Sequence, residues 1–243
     1  MDTRRQEQQP AKGPAYAEVD VLGQEPGGPV SFRAPNWIAV DADDNLYITE
    51  FSGNRVQKIS PDGVLLAQWG SQGDGDGEFG GPTGIAIDGA GNAYVSESGN
   101  HRVQKFSPAG AHIVTWGSLG SGPGQFKSAM GIAVDRGGMV YVADHNNHRV
   151  QVFDTEGTFV TAWGKPGGEV GQLQNPIGIS LDQEGSLWVA ERGNGRVQKF
   201  TVTGEPLDGW DVFGLGFIPV SDAQAVTARA SGEVVVSSVG AAG

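Results

Sequence analysis

Short apolar runs alternate with turn residues along most of this chain, most regularly between Gly131 and Trp163. There GIAVD (131–135), VYVAD (140–144), RVQVF (149–153) and FVTAW (159–163) are separated by RGG, HNN and TEG. The runs are short and rich in β-branched and aromatic residues, which suit a pleated, half-buried surface. Gly, Asn and Asp between them supply the backbone conformations that tight turns need. The pattern predicts four strands, followed by a long Gly-rich connection, GKPGGEVGQLQNP, into another copy.

The copies are in strict register. Asp41, Asp88, Asp135 and Asp182 stand 47 residues apart, as do Arg55, Arg102, Arg149 and Arg196. The same step relates Trp69, Trp116, Trp163 and Trp210, and carries Tyr47, Tyr94 and Tyr141 on to Trp188. Four strands in a unit of this length are the signature of a β-propeller blade. A solenoid coil would be shorter.

The expected fold is therefore all-β, a propeller of four-stranded blades. The repeats run about 32–78, 79–125, 126–172 and 173–216, within a domain spanning 15–240 after a polar, disordered segment 1–14. One further step places AVTAR (225–229) and EVVVSS (233–238) at the first two strands of a partial blade over 217–240. The strand AEVDVLG (17–23) lies one step before Trp69 and is expected to close that blade, removing an exposed edge. This count gives a five-bladed ring, with a fragment of a six-bladed ring as the alternative.

The wording GQF, GIAVD, VYVAD, NHRVQVF resembles the NHL repeat and recurs in four units. The resemblance implies a propeller, usually of six blades. A lyase relative, peptidyl-amidoglycolate lyase, binds zinc through histidines at the start of the innermost strands. The matching positions here are Asn36, Thr83, Met130, Ile177 and Gln224, none of them histidine. Lactonase-like and strictosidine-synthase-like propellers hold a central calcium with Glu, Asn and Asp, for which Asn36 alone is suitable. Metal-dependent hydrolase or lyase chemistry at the central channel thus stays the alternative. A non-catalytic binding or scaffold module is the main expectation, with no cofactor and no resident metal.

Composition narrows the partners. The formal charge is −12 and the pI about 4.6, whereas nucleic-acid binding and anionic membranes call for a basic face. The RNA recognition of NHL modules in tripartite-motif proteins is disfavoured for the same reason. Cysteine is absent, which removes disulfide and thiol chemistry. The start, MDTRRQEQQPAKGP, has no apolar signal-peptide core, so the expectation is a cytoplasmic, soluble monomer. The expected partner is a protein, a peptide or a small ligand.

Candidate sites divide into what the repeat keeps and what it varies. Glu50, Glu97, Asp144 and Glu191 each precede the repeated arginine by five residues. They are expected to form structural pairs Glu50–Arg55, Glu97–Arg102, Asp144–Arg149 and Glu191–Arg196. A carboxylate ring drawing a cation or basic peptide to the channel mouth is the other reading. Each residue of the Asp series at 41, 88, 135 and 182 is expected to open a tight turn. The Trp series is expected between blades.

His101 and His148 share a slot with Asn54 and Gly195, which suggests that any small or polar loop residue is tolerated there. The DHNNH stretch (144–148) is a weak metal candidate, and DGDGE (74–78), which imitates half a calcium loop, reads as a mobile acidic connection. Directly after the repeated acid the residue changes in every unit: Phe51, Ser98, His145, Arg192. A constant scaffold carrying one variable ring is what a recognition surface requires. Trp37, which replaces the Gly of positions 84, 131 and 178, joins them as a binding candidate or as a plug of the channel.

Overall fold

The computed structural model describes residues 30–207, 223–228 and 234–238. The first unit forms strands β1 (Pro35–Val40), β2 (Leu46–Glu50), β3 (Arg55–Ile59) and β4 (Leu65–Trp69), an antiparallel sheet in chain order. The second unit repeats this with β5 (Pro82–Ile87), β6 (Ala93–Glu97), β7 (Arg102–Phe106) and β8 (His112–Trp116). The third does so with β9 (Ala129–Val134), β10 (Val140–Asp144), β11 (Arg149–Phe153) and β12 (Phe159–Trp163). In the fourth, β13 (Pro176–Leu181), β14 (Leu187–Glu191) and β15 (Arg196–Phe200) form the sheet, and Pro206 bridges to Phe200 at its outer edge. A two-stranded sheet of β16 (Ala223–Ala228) and β17 (Val234–Ser238) lies beside β13 and β14.

Innermost strands β1, β5, β9, β13 and β16 neighbour one another in sequence order, so the blades fan around one axis. This is a propeller of four blades followed by a partial fifth sheet among the described residues. The closing strand expected over 17–23, the terminal segment 1–14 and Trp210 lie outside the described residues.

Alternating side chains on each strand serve two interfaces. Tyr47, Val56, Trp37 and Trp69 of the first blade pack against Ile85, Ala93, Val95 and Phe106 of the second. The opposite faces of the second blade's strands, through Tyr94, Val103 and Trp116, meet Ile132, Val140 and Phe153 of the third. β6 and β10 are consequently buried along their whole length, on both faces rather than on the one expected. The tryptophans sit between blades, as Trp69 against Phe106 at 5.9 Å and Trp116 against Phe153 at 5.9 Å show.

Glycine on the inner strand sets how closely blades approach. A Cβ on Gly84 would lie 2.6 Å from the Met130 carbonyl oxygen, and one on Gly131 would lie 2.4 Å from that of Ile177. Hydroxyl groups tie the same strands together. Thr49 donates to the Thr83 carbonyl at 2.7 Å, and Thr83 donates to the Ala129 carbonyl at 2.9 Å.

Candidate functional site

Antiparallel strands put the turns after the first and third strands of each blade on one end of the disc. The turns after the second strand, with the connections between blades, occupy the other. On that second end every blade repeats one hydrogen-bonding scheme, centred on its repeated acid.

Glu97 is fully buried. One carboxylate oxygen accepts from Arg102 Nε at 2.6 Å and from Gln104 Nε2 at 2.8 Å. The other accepts from the Gly80 N–H at 2.8 Å and from Asn100 Nδ2 at 2.7 Å. Glu191 is held the same way by Arg196, Gln198, the Gln174 N–H and Asn194. Asp144 is met by Arg149, Gln151, the Lys127 N–H and Asn147. Glu50 takes Arg55 Nε at 2.7 Å, the Arg33 N–H and the Gln57 amide. Each of these carboxylates is fully buried and accepts from three or four donors, so none is presented to solvent.

The arginine's remaining donors reach back to the preceding connection. Arg102 donates to the carbonyls of Asp74, Gly75 and Glu78, and Asn100 to that of Gly73. Segment 74–78, expected as a mobile acidic loop, is therefore fastened along its backbone: five donors in a guanidinium suit a row of turn carbonyls. Arg149 grips the Gly122 and Gln125 carbonyls, and Arg196 those of Gly168, Glu169 and Gln172.

One further bond links each of the first three blades to the next, and a second ties the residue so held to its own blade. Asn54, His101, His148 and Gly195 all adopt positive φ, between 49° and 60°. Asn54 Oδ1 accepts the Gly81 N–H at 3.1 Å; His101 Nδ1 accepts that of Ser128 and His148 Nδ1 that of Asn175, both at 3.1 Å. The slot is thus not indifferent to its occupant. In three blades it supplies an acceptor to the next blade, a role invisible in a single repeat. The residue so held then accepts, through its carbonyl, the N–H of the variable position in its own blade. Gly81 receives Ser98, Ser128 receives His145 and Asn175 receives Arg192, at 3.0 to 3.2 Å.

This backbone fixes the variable residues at equivalent points. Phe51 is 45% exposed, its ring lying beside Gly81 of the next blade. Ser98 is half-buried near the Gly81 carbonyl, and Arg192 is exposed. His145 is half-buried, and its Nδ1 donates to the Pro176 carbonyl at 3.1 Å. Burial, together with the nearby charges of Arg192 and His148, pushes its pKa below the ordinary value, partly offset by the Pro176 and Asn175 contacts. Trp37 pairs with Thr49 near the start of β1. Its N–H donates to Thr49 Oγ1 at 3.0 Å, and its ring packs into the core between the first two blades.

Within DHNNH, Asp144 bonds its arginine, His145 bonds Pro176 and His148 bonds Asn175. Among the described residues, no group of three or more His, Asp or Glu side chains is arranged to hold a metal ion.

On the opposite end, the Asp series does more than open turns. Asp88 accepts from the Ala90 and Asn92 N–H groups and also from Tyr94 Oη at 3.0 Å. Asp135 likewise takes Tyr141 Oη, and Asp182 takes Trp188 Nε1. Burial and the bond to aspartate raise the Tyr141 hydroxyl well above its ordinary pKa, so it stays a donor.

Four repeated blades fanned around one axis define a class, the β-propeller. Residues 79–106, 126–153 and 173–200 each match the NHL repeat, and the chain is an NHL-repeat β-propeller protein. No curated protein sequence matches it. Among solved structures it is similar to virginiamycin B lyase from Staphylococcus aureus, at 16% identity and a TM-score of 0.63, over 83% of this chain and 62% of that one. It thus spans less than two thirds of that lyase's length. It is also similar to a gluconolactonase from Xanthomonas campestris, at 16% identity and a TM-score of 0.64, over 85% of this chain and 70% of that one. A third likeness is to a chain of a nidogen/laminin complex, at 18% identity and a TM-score of 0.63, over 85% and 72%. At such identities the likeness is one of fold, and a fold shared by a lyase, a gluconolactonase and a nidogen/laminin complex does not choose among them. Among the described residues, no helix is long and apolar enough to cross a membrane.

Proposed function

We propose that this protein is a non-catalytic binding module that presents the second-strand turns of its blades to a protein or peptide partner. The observation that carries the reading is the contrast at Phe51, Ser98, His145 and Arg192. Each of these four N–H groups bonds the same carbonyl position of its own blade, yet the four side chains are apolar, hydroxyl, imidazole and guanidinium. A rigid frame with an exposed aromatic and an exposed arginine offers the residue types that dominate peptide-binding hot spots. The buried acid–arginine network holds that frame and is not itself the contact surface.

The test is selection of binding peptides from a displayed random library against the folded chain. The reading expects selected peptides to be displaced by one another and to lose affinity when Phe51 and Arg192 are both replaced by Ala. Peptides insensitive to that double replacement would overturn it.

A second reading, a metal-dependent hydrolase or lyase at the central channel, has the fold likeness to a lyase and a gluconolactonase in its favour. It expects stoichiometric calcium or zinc after metal-supplemented refolding and a metal-dependent activity on a lactone or lyase substrate.

A further inference from the structure

Beside the four variable turns runs a second ring, made of the residues that lead into the innermost strands. Arg33, Gly80, Lys127 and Gln174 stand one repeat apart, each two residues before β1, β5, β9 or β13. Their N–H groups donate to the buried acid of their own blade. The carbonyls of Gly80, Lys127 and Gln174 accept from Gly99, Asn146 and Gly193, the residues that follow Ser98, His145 and Arg192. The main chain is thus committed to the frame, while the side chains of Arg33 and Lys127 are exposed. Among the described residues, neither head group donates a hydrogen bond or meets a carboxylate.

Charge on this end is unevenly spread. The chain holds 28 acidic residues against 16 lysines and arginines. Yet the turns FSGN (51–54), SGNH (98–101), HNNH (145–148) and RGNG (192–195) contain no Asp or Glu. Nor do the entry residues 33–34, 80–81, 127–128 and 174–175, and the two sets together carry Arg33, Lys127 and Arg192. The acid that ends each second strand is buried and paired with its arginine, so those pairs add no net charge. The exposed Asp74 and Asp76 belong to the connection between the first two blades. Asp76 lies out at the rim, where it accepts from Thr115 Oγ1 of the outermost strand β8. A zone with cations and no acids, in a protein of charge −12, favours a partner of the opposite sign.

We propose that the segment received on this face is acidic, a stretch of protein or peptide with several Asp or Glu side chains, and that Arg33 and Lys127 read its charge. The proposal rests on the peptide-binding reading above and names the chemistry of the partner. A guanidinium meets a carboxylate through two parallel N–H bonds, and an ammonium meets it as a point charge. Phe51, on the same blade as Arg33, supplies the apolar contact. RNA, the other polyanion, fits less well. Its unbroken row of phosphates would run past the cations onto Asp74 and Asp76.

The test titrates the folded chain with three labelled, blocked decapeptides that share their Phe and Gly residues. They differ only at four positions, which are all Glu, all Gln or all Lys. A single-stranded RNA of ten nucleotides is the further probe. At low salt the Glu peptide is expected to bind at least about tenfold tighter than the Gln peptide, and added salt should shrink that advantage. Arg33→Gln combined with Lys127→Gln is expected to weaken the Glu peptide at least about tenfold and the Gln peptide less than about twofold. The melting temperature of this double variant should stay at the wild-type value, because both side chains are exposed. Arg136→Gln removes an exposed cation from the opposite end and should leave the Glu peptide's affinity unchanged. Equal binding of the Glu and Gln peptides, or a preference for Glu that survives the double variant, would overturn the proposal. If such peptides still lost affinity on joint replacement of Phe51 and Arg192 by Ala, the peptide-binding reading would stand without it. Tighter binding of the RNA than of the Glu peptide would assign the cations to phosphate and overturn it as well. Binding of no peptide would overturn both.

Discussion

His101 of the second blade accepts the backbone N–H of Ser128 in the third through its Nδ1, at 3.1 Å. The bond needs the unprotonated nitrogen and the left-handed backbone that places the ring, at φ 55°. Asn54 does the same work one blade earlier. His101→Asn is therefore expected to leave the melting temperature close to wild type. His101→Leu leaves the Ser128 N–H without its acceptor and is expected to cost about 1–2 kcal/mol. Denaturant melts of the two variants separate the acceptor role from a mere space filler.

Removing a buried acid should be far more costly. Glu97 gathers four donors with no exposure of its own. Glu97→Ala strands the Arg102 guanidinium and unfastens the 74–78 connection, a loss on the order of 3–5 kcal/mol. Glu97→Gln keeps the shape but turns an amide NH₂ toward groups that are already donors, so it is expected to destabilise as well. Hydrogen exchange at Gly80 and through 74–78 is the local readout, with both variants raising it.

Blade spacing is tested by adding one methyl group. Gly131→Ala pushes a Cβ against the Ile177 carbonyl oxygen and is expected to cost about 1–3 kcal/mol through forced separation of the third and fourth blades. Gly89→Ala, where a Cβ would meet nothing within 4 Å, is the control and should be neutral or slightly stabilising.

The 47-residue step made the blades, their four strands and the acid–arginine pairing legible, because residue identity is kept at those positions. The links between blades were hidden for the opposite reason. Ala34, Gly81, Ser128 and Asn175 also stand one repeat apart, but they serve through backbone groups, so their side chains are free to differ. The acceptor slot was hidden because Asn and His offer the same lone pair from different chemistry. Gln57, Gln104, Gln151 and Gln198 recur visibly, yet their placement on the buried acid depends on strand register, which pairs Glu97 with Arg102 and sets Gln104 alongside. Trp37 read as a binding candidate or a channel plug because its neighbours in the series are Gly, and its packing against the core between the first two blades was not legible from that series.

Acid should weaken the fold through His145. His145 has its pKa lowered by burial first, with the charges of Arg192 and His148 adding and the Pro176 and Asn175 contacts opposing. A histidine depressed on folding contributes stability that is complete above its unfolded pKa, near 6.5, and is lost as pH falls from there through the folded value. Melting temperature is thus expected to drop below about pH 6.5, with His145→Gln flattening part of that drop. A His145→Gln curve parallel to wild type would contradict the assignment.

The central claim is that the four variable positions form the contact surface. The most direct measurement is the affinity of one selected peptide for Phe51→Ala, Ser98→Ala, His145→Ala and Arg192→Ala, alongside Lys58→Ala, Asp135→Ala and Lys199→Ala on the opposite end. The account predicts that Phe51→Ala and Arg192→Ala each weaken binding at least about tenfold, about 1.4 kcal/mol, while the opposite-end variants change it less than about twofold. Losses concentrated on the opposite end, or spread evenly over both, would contradict it.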